Sequence, residues 1–455
     1  MNIRKLNRKT SVLRGRSGLA LTGMMVMVCL LVVASASAVA AAQVKLNVSL
    51  GQPTFFPEDQ RLNYVKVGLT GVPFESVQRR TPVNLAIVLD KSGSMQGEKL
   101  KHAKEAAMMA VERLSPDDIL SVVAYDSTVS VLVPATKATD KRSILAAIQR
   151  LEAGTNTALF AGVARGAAEV RKFLDRQRVN RIILLSDGLA NEGPSTPQEL
   201  GDLGASLARE GMTVTTFGLG LGYNEDLMAE LARRSDGNHA FVEKPQELAR
   251  IFTLEFGDVL NVVAQEVTVE IECQHFRPIR LLGREGEIRG RKVTLQMNQL
   301  YGNQEKYALL EVENPEQETA TPGFAVKVRY LDLRTGRSEE ISGQVTGLLR
   351  RDSAAVAQAE DREVMVAAVN LLANERYKVA TRLRDEGKIE EARKNLESNK
   401  GFLLSNFDRY NSDVLKKFAE QMSKDAEKIE NEAEWSRTRK NMRQQQHSND
   451  YQQTY

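Results

Sequence analysis

The chain has 455 residues, of which 42% are hydrophobic and 27% charged, so it can build packed cores and is longer than one typical domain. Its formal net charge of +3 is small, and no strip of interleaved basic and aromatic residues occurs, which argues against nucleic-acid binding. The two cysteines, Cys29 and Cys273, do not form the kind of pattern that predicts a disulfide framework.

The first 42 residues have the layout of a secretory signal peptide. Residues 1–18 carry six basic side chains and no acid, an apolar run follows from 19 to 34, and small residues near Ala42 offer a cleavage site. The apolar run is shorter than the roughly 20 residues of a spanning helix, so cleavage is favoured over an uncleaved membrane anchor. We predict that residues 1–42 are removed, which changes the formal charge from +3 to −3, and that the mature protein is periplasmic or secreted, with no internal transmembrane span.

Two segments, 43–80 and 258–348, alternate apolar and polar residues and are punctuated by Gly and Pro, a pattern typical of antiparallel β-structure. The first segment is too short to form a stable domain alone. We therefore predict that it pairs with the second in a β-sandwich, into which the intervening domain is inserted. Two separately packed β elements are the alternative.

Residues 81–257 alternate short apolar runs with helical patterns, which predicts an α/β fold with a doubly wound, mostly parallel sheet. The predicted strands are 83–89, 118–125, 129–133, 181–186, 213–218 and 239–242. The predicted helices are 97–113, 140–151, 158–176, 197–210, 224–235 and 245–257. In such sheets ligands bind beyond the carboxyl ends of the strands.

Oxygen-bearing side chains follow two of these strands. The first strand ends in Asp90, with Ser92 and Ser94 at the next alternate positions, and alternate side chains of an extended loop point the same way. Thr155 lies in a Gly-Thr-Asn-Thr loop, and Asp187 follows another apolar strand. Mg2+ prefers such oxygen ligands. A set of N-terminal capping residues for the next helix is the alternative reading of the first loop.

In this order, the D-x-S-x-S loop, the threonine loop and the distal acid resemble the von Willebrand factor type A (VWA) family and its metal-ion-dependent adhesion site. The resemblance implies that Asp90, Ser92, Ser94, Thr155 and Asp187 hold a divalent cation. It also implies that the hydroxyls usually contact the ion directly and the acids often act through water. Mg2+ is the expected ion, with Mn2+ or Ca2+ as alternatives.

Three further points concern the residues of this predicted site. Thr155 is preferred to Thr157 because it directly follows the glycine, as in the family pattern. Lys91 replaces the small or apolar residue expected in the first loop, and its charge would weaken metal binding unless it points to solvent. Asp126 lies between two short β-type runs and is interpreted as a hairpin turn rather than a sixth ligand.

Beyond residue 350 the chain becomes rich in Ala, Glu, Lys and Arg at helical spacing. This pattern predicts a helical region over 351–436, with a helical hairpin interrupted at Gly387 and a further helix from 412 to about 430. The final segment, 437–455, is polar and contains many Gln and Asn residues, which predicts disorder.

Together these features predict a metal-dependent protein-binding protein for adhesion or scaffolding, in which an Asp or Glu carboxylate of a partner protein fills the open position of the ion. A metal-dependent hydrolase and an assembly or chelatase-like subunit are the alternatives. Common hydrolase and nucleotide-binding motifs are absent from the sequence, and its four histidines are scattered, so a non-enzymatic role is favoured. The layout is similar to that of inter-alpha-trypsin inhibitor heavy chains.

In related adhesion domains the last helix shifts when the site is occupied. Here the corresponding segment, 245–257, runs straight into the β-region. Such a shift would report ligand binding to the rest of the chain.

Overall fold

The structure, a computed structural model, describes residues 43–55, 62–74, 80–315, 322–350 and 359–453. The predicted signal peptide lies outside these residues. The described chain builds an α/β domain, a β-sandwich and a helical region, which confirms the predicted fold class. Within it, no helix is both long and apolar enough to cross a membrane.

The α/β domain is built on one six-stranded sheet. Three strands precede it in the chain, namely β1 (Val44–Leu50), β2 (Thr54–Phe55) and β3 (Leu62–Gly71). The domain itself contributes β4 (Val83–Asp90), β5 (Ile119–Tyr125), β6 (Val129–Lys137), β7 (Val179–Ser186), β8 (Met212–Leu219) and β9 (His239–Val242). Their order across the sheet is β6-β5-β4-β7-β8-β9. All neighbours are parallel except β5 and β6, which form an antiparallel hairpin.

Helices cover both faces of this sheet because its central strands are apolar on both sides. They are α1 (Glu98–Arg113), α2 (Lys141–Gln149), α3 (Leu159–Arg171), α4 (Pro197–Arg209), α5 (Glu225–Arg234) and α6 (Leu248–Val259). The first, second and sixth pack against the face that carries Leu85 and Ile87 of β4. The other three pack against the opposite face, which carries Ala86 and Val88. This two-sided burial accounts for the continuous apolar runs in the sequence.

The β-sandwich joins the N-terminal strands to strands from far along the chain. The later strands are β10 (Val262–Gln274), β11 (Arg277–Leu282), β12 (Glu287–Arg289), β13 (Lys292–Tyr301), β14 (Glu305–Glu313), β15 (Gly323–Asp332), β16 (Arg337–Thr346) and β17 (Leu348–Leu349). One sheet has the order β1-β3-β14-β11 and the other β12-β13-β10-β15-β16, while β2 pairs with β17. Leu69 of β3 lies opposite Lys306 of β14 in an antiparallel ladder. The two larger sheets share one core, and the α/β domain is inserted between β3 and β10.

The helical region contains α7 (Arg362–Asp385), α8 (Ile389–Tyr410), α9 (Asp413–Lys428) and α10 (Glu432–Tyr451). Gly387, with φ of +78°, makes the tight connection between the first two, where the sequence analysis places its interruption. The prediction of disorder for 437–455 is wrong as far as residue 451, because that part is helical. This segment is ordered because it packs against the rest of the chain, which its polar composition does not reveal. Met442 and Tyr451 are buried, and Lys440 and Gln444 bond to the α/β domain.

Candidate metal centre

The predicted site lies where two neighbouring parallel strands end. In the pairing of β4 with β7, Leu89 is opposite Leu185, so the residues that follow them emerge at the same edge of the sheet. Asp90 is the last residue of β4, and Asp187 directly follows β7. Both carboxylates are buried. The fold therefore brings two acids together in a place where each needs a compensating partner.

The serines of the first loop connect these two acids. The backbone N–H of Ser92 donates to Oδ1 of Asp90 at 2.8 Å, which turns the chain back over the strand end. The Ser94 hydroxyl donates to Oδ1 of Asp187 at 2.7 Å, and the hydroxyl oxygens of Ser92 and Ser94 are 3.1 Å apart. Four of the five predicted site residues thus form one connected cluster of oxygen atoms.

Ser186 belongs to the same cluster, although the sequence analysis did not identify it. Its hydroxyl donates to Oδ2 of Asp90 at 2.6 Å. Its position as the last residue of a buried strand, directly before Asp187, was the available signal. Burial raises the pKa of Asp90, and the charge of Asp187 raises it further, although hydrogen bonds from Ser186 and Ser92 oppose the shift. The site therefore favours a bound positive charge.

The two threonines of the second loop have different environments. Thr155 is exposed, and its hydroxyl pairs with Ser127 at 3.0 Å, while its backbone carbonyl accepts from Gly93. Thr157 is 4% exposed. A Cβ atom added at Gly188 would be 2.8 Å from the Thr157 hydroxyl oxygen and 3.2 Å from Oδ2 of Asp90. The buried Thr157 side chain and the Asp90 carboxylate thus both lie beside Gly188, whereas the Thr155 hydroxyl contacts Ser127 of a different loop.

Lys91 is directed away from the acidic cluster. Its ammonium donates to Oδ2 of Asp126, whose Oδ1 accepts from the backbone N–H of Thr128 at 2.8 Å. Burial alone would raise the pKa of Asp126, but the bonds from Lys91 and Thr128 lower it to about 2. The backbone N–H of Asp126 also bonds the carbonyl of Thr128, which confirms the predicted turn. The first-loop lysine is thus neutralised by the turn residue.

Lys99 is a second residue that the sequence analysis did not identify. It lies in the first turn of α1, and its ammonium donates to Oδ2 of Asp187 and to the backbone carbonyl of Ser94 at 3.3 Å. In sequence it resembles an ordinary surface lysine nine residues after Asp90. It is the cation that faces the second acid of the site.

The donor set fits a hard divalent cation. Among the described residues, no group of three or more His, Cys, Asp and Glu side chains has a metal-binding arrangement, so a metal at this edge requires hydroxyl ligands as well. Two carboxylates and several hydroxyls are oxygen donors of the kind that Mg2+, Mn2+ and Ca2+ accept. The residues that would hold the ion are Asp90, Ser92, Ser94 and Asp187, with a threonine of the second loop, either the predicted Thr155 or the buried Thr157.

The six-stranded sheet with helices on both faces belongs to a known class of domain. Residues 84–253 match the von Willebrand factor type A domain family. The chain therefore contains a VWA domain, a class that commonly mediates metal-dependent protein interactions.

Several proteins are similar to this chain. The protein sll0103 of Synechocystis sp. is 28% identical over 369 residues, which cover 75% of this chain and 85% of that protein. The inter-alpha-trypsin inhibitor heavy chain H3 of Rattus norvegicus is 26% identical over 203 residues, 43% of this chain and 22% of its own. The E3 ubiquitin-protein ligase WAV3 of Arabidopsis thaliana is 25% identical over 278 residues, 58% of this chain and 35% of its own. The chain thus spans most of the first relative and a minor part of the other two.

Two solved structures share the fold over most of the chain. The von Willebrand factor type A protein of Catenulispora acidiphila superposes with a TM-score of 0.67 at 17% identity, covering 83% of this chain and 90% of that one. The ArnB paralog VWA2 of Sulfolobus acidocaldarius has a TM-score of 0.60 at 17% identity, covering 88% and 98%. The shared architecture therefore extends beyond the VWA domain alone.

Proposed function

We propose that the protein binds a partner protein through a divalent cation held by Asp90, Ser92, Ser94, Thr157 and Asp187. The observation that carries this proposal is the pairing of two buried carboxylates with hydroxyl oxygens at the carboxyl edge of a parallel sheet. Thr157 takes the role that the sequence analysis gives to Thr155, because its hydroxyl lies beside Asp90 and Gly188. Mg2+ is the proposed ion.

The proposed partner presents an Asp or Glu carboxylate. Mg2+ takes six oxygen ligands in near-octahedral geometry and usually keeps several waters. The charge of the ion then favours exchange of one of these waters for an anionic oxygen. The bond between a carboxylate and a divalent cation is stronger than the bond between water and the cation that it replaces. The cation supplies this electrostatic attraction. Asp90 and Asp187 anchor it, while the hydroxyls orient it without adding negative charge.

We propose a binding role in preference to a catalytic one. The acids of the site accept bonds from Ser94, Ser186 and Lys99 and are assigned to the ion, so catalysis would need a further general base. His102 of α1 bonds Glu105, and His239 is buried beneath the helical region. The proposed location is outside the cytoplasm, which rests on the signal-like pattern of residues 1–42.

Titration calorimetry of Mg2+ into the purified protein and its variants tests the metal site. Asp90→Ala should abolish binding, whereas Asp117→Ala, which removes a surface acid that is 82% exposed in its side chain, should not. Thr157→Ala should weaken binding at least tenfold and Thr155→Ala should leave it unchanged. The reverse order of these two threonine variants would return the ligand role to Thr155.

Capture of partners from an envelope extract tests the binding role. Proteins retained in Mg2+ should elute in EDTA and should be absent when the bait carries Asp90→Ala. The Asp117→Ala bait is the matched control and should retain the same proteins. Partners that stay bound in excess EDTA would show that another surface of the protein carries its interaction.

A further inference from the structure

The first turn of α1 contains a charge that local preference does not explain. Lys99 is the second residue of this helix, where the helix dipole disfavours a cation and favours Asp or Glu. Glu98 precedes it and satisfies that preference. The explanation for Lys99 is tertiary, since its ammonium bonds Oδ2 of Asp187 and the carbonyl of Ser94.

The surroundings of Lys99 and Asp187 hold these two side chains in contact. The Asp187 side chain is 0% exposed, so solvent does not compensate its charge. The Lys99 side chain is 29% exposed and passes beneath the loop after β8, where a Cβ atom at Gly220 would be 3.3 Å from its Cε atom. Lys91, by contrast, is held by Asp126. The loop and the helix together direct the Lys99 ammonium at one oxygen of Asp187.

We propose that Lys99 is an internal counter-ion that occupies Asp187 in the absence of metal and competes with the divalent cation for it. This inference rests on the proposed function, because it concerns the same metal site. Ser94 bonds Oδ1 of Asp187 and Lys99 bonds Oδ2, so a cation that approaches Oδ2 meets the ammonium. Metal binding therefore requires the ammonium to give up or share its partner.

The formal charges of the site show what this competition achieves. Asp90 and Asp187 together carry −2, and Lys99 reduces this to −1, which limits the electrostatic cost of the metal-free protein. A divalent cation then makes the sum +1. A site that changes from −1 to +1 repels an acidic partner without the ion and attracts it with the ion. Lys99 thus lowers metal affinity, stabilises the metal-free fold and makes the metal-bound site net positive instead of neutral.

The test compares Lys99→Met with Lys101→Met, which removes an exposed lysine from the same helix. Calorimetry should show Mg2+ binding at least about tenfold tighter in Lys99→Met, since a charged hydrogen bond that competes with the ion is lost. Melting in EDTA should show a lower Tm for Lys99→Met than for wild type, and saturating Mg2+ should restore it. Lys101→Met should match wild type in both measurements.

Lys99→Arg keeps the charge and guards against a trivial folding defect. It should retain the metal-free Tm, and Lys99→Met protein that folds only with Mg2+ present would also support the proposal. Mg2+ affinity that is unchanged or weaker in Lys99→Met would overturn the competition while leaving metal binding intact. Wild type that binds no metal would defeat the proposed function. In that case Lys99→Met that binds Mg2+ would still support the competition, and Lys99→Met that does not bind it would overturn both.

Discussion

Arg181 and Glu255 form an ion pair from which solvent is excluded, with both side chains 0% exposed. Arg181 lies on β7, the strand that leads to the metal site, and Glu255 lies on α6, the last helix of the VWA domain. Arg181 also bonds Gln299 at 2.9 Å and Tyr301 at 3.3 Å, both on β13 of the sandwich. The helix that the sequence analysis allowed to shift is therefore anchored to its own domain and, through Arg181, to the sandwich.

Breaking the ion pair between Arg181 and Glu255 should lower the stability of the protein. Arg181→Met removes the cation of this buried pair, although the Glu255 carboxylate keeps its bonds from Thr215 and Asn238. We expect the free energy of unfolding to fall by about 3–5 kcal/mol. The comparison is Lys137→Met, which breaks an exposed pair with Asp117 and should cost less than about 1 kcal/mol. Urea unfolding measures both. Similar losses in the two variants would show that the buried pair has no special role.

Anchoring of α6 also predicts how the metal site responds. If metal binding does not depend on a shift of α6, releasing this anchor should leave the site unchanged, and the Arg181→Met variant that remains folded should bind Mg2+ with wild-type affinity. A changed affinity, measured by the same calorimetry, would instead show that α6 and the site are energetically coupled.

Gly188 should be indispensable at the metal site. A methyl group there would be 2.8 Å from the Thr157 hydroxyl oxygen and 3.2 Å from Oδ2 of Asp90, so Thr157 would have to shift and Asp90 would be crowded. We expect Gly188→Ala to weaken Mg2+ binding at least tenfold. Gly401→Ala is the matched control, because no atom lies within 4 Å of its added methyl group in α8, and it should bind Mg2+ normally. Normal binding by both variants would place the ion elsewhere.

Acid should destabilise the contact between α10 and the VWA sheet. The pKa of His447 on α10 and that of His239 on β9 are both lowered to about 3, mainly by burial and also by a neighbouring basic group, which is His239 for the first and Lys440 for the second. The unfolded chain takes up these protons near the ordinary value of 6.5. Unfolded protein therefore binds more protons between these two values, and stability falls as the pH decreases below about 6.5.

The expected slope is about 1.4 kcal/mol of unfolding free energy per pH unit for each histidine. Urea unfolding at pH 7.5 and pH 5 measures it. His447→Gln removes one titrating group and should make the loss between these pH values smaller. His102→Gln, which changes a histidine on α1, is the control. An identical pH dependence in wild type and His447→Gln would contradict the assignment.

Removal of α10 should expose an edge strand to other molecules. The Gln444 side chain accepts from the backbone N–H of Phe241 at 2.9 Å, so the helix covers a strand edge that could otherwise pair with another chain. We expect a chain that ends at residue 431 to self-associate in light scattering. Arg437→Ala, which removes only a partly exposed pair with Glu243, should stay in the wild-type state. A truncated chain that behaves like wild type would show that the edge needs no cover.

Elements with strong periodicity could be predicted from the sequence. Residues 85–89 of β4 and 182–185 of β7 are uninterrupted apolar runs. An acid ends the first strand and another directly follows the second, which identified the edge of the sheet and four residues of the predicted site. The choice between Thr155 and Thr157 could not be made in the same way. Both lie in a loop of small polar residues, and only tertiary packing decides which hydroxyl turns inward.

The roles of residues whose partners lie far away in the chain could not be predicted from the sequence either. Lys99 resembles a solvated helix lysine until Asp187 is placed beside it. The polar residues of α10 resemble a disordered tail because their partners, such as Tyr223 and Glu225 for Lys440, lie more than 200 residues earlier. Composition describes a segment in isolation, whereas these contacts belong to the assembled chain.

The insertion of the VWA domain between β3 and β10 has a consequence for the order of events during synthesis. Lys66 of β3 pairs with Glu305 of β14, 239 residues later, so the first strands leave the ribosome long before this neighbour exists. The whole six-stranded sheet, with a core on each face, emerges in the interval. Because domains generally fold as units, we expect the edge that carries Asp90 and Asp187 to assemble first and the sandwich to close around its base afterwards.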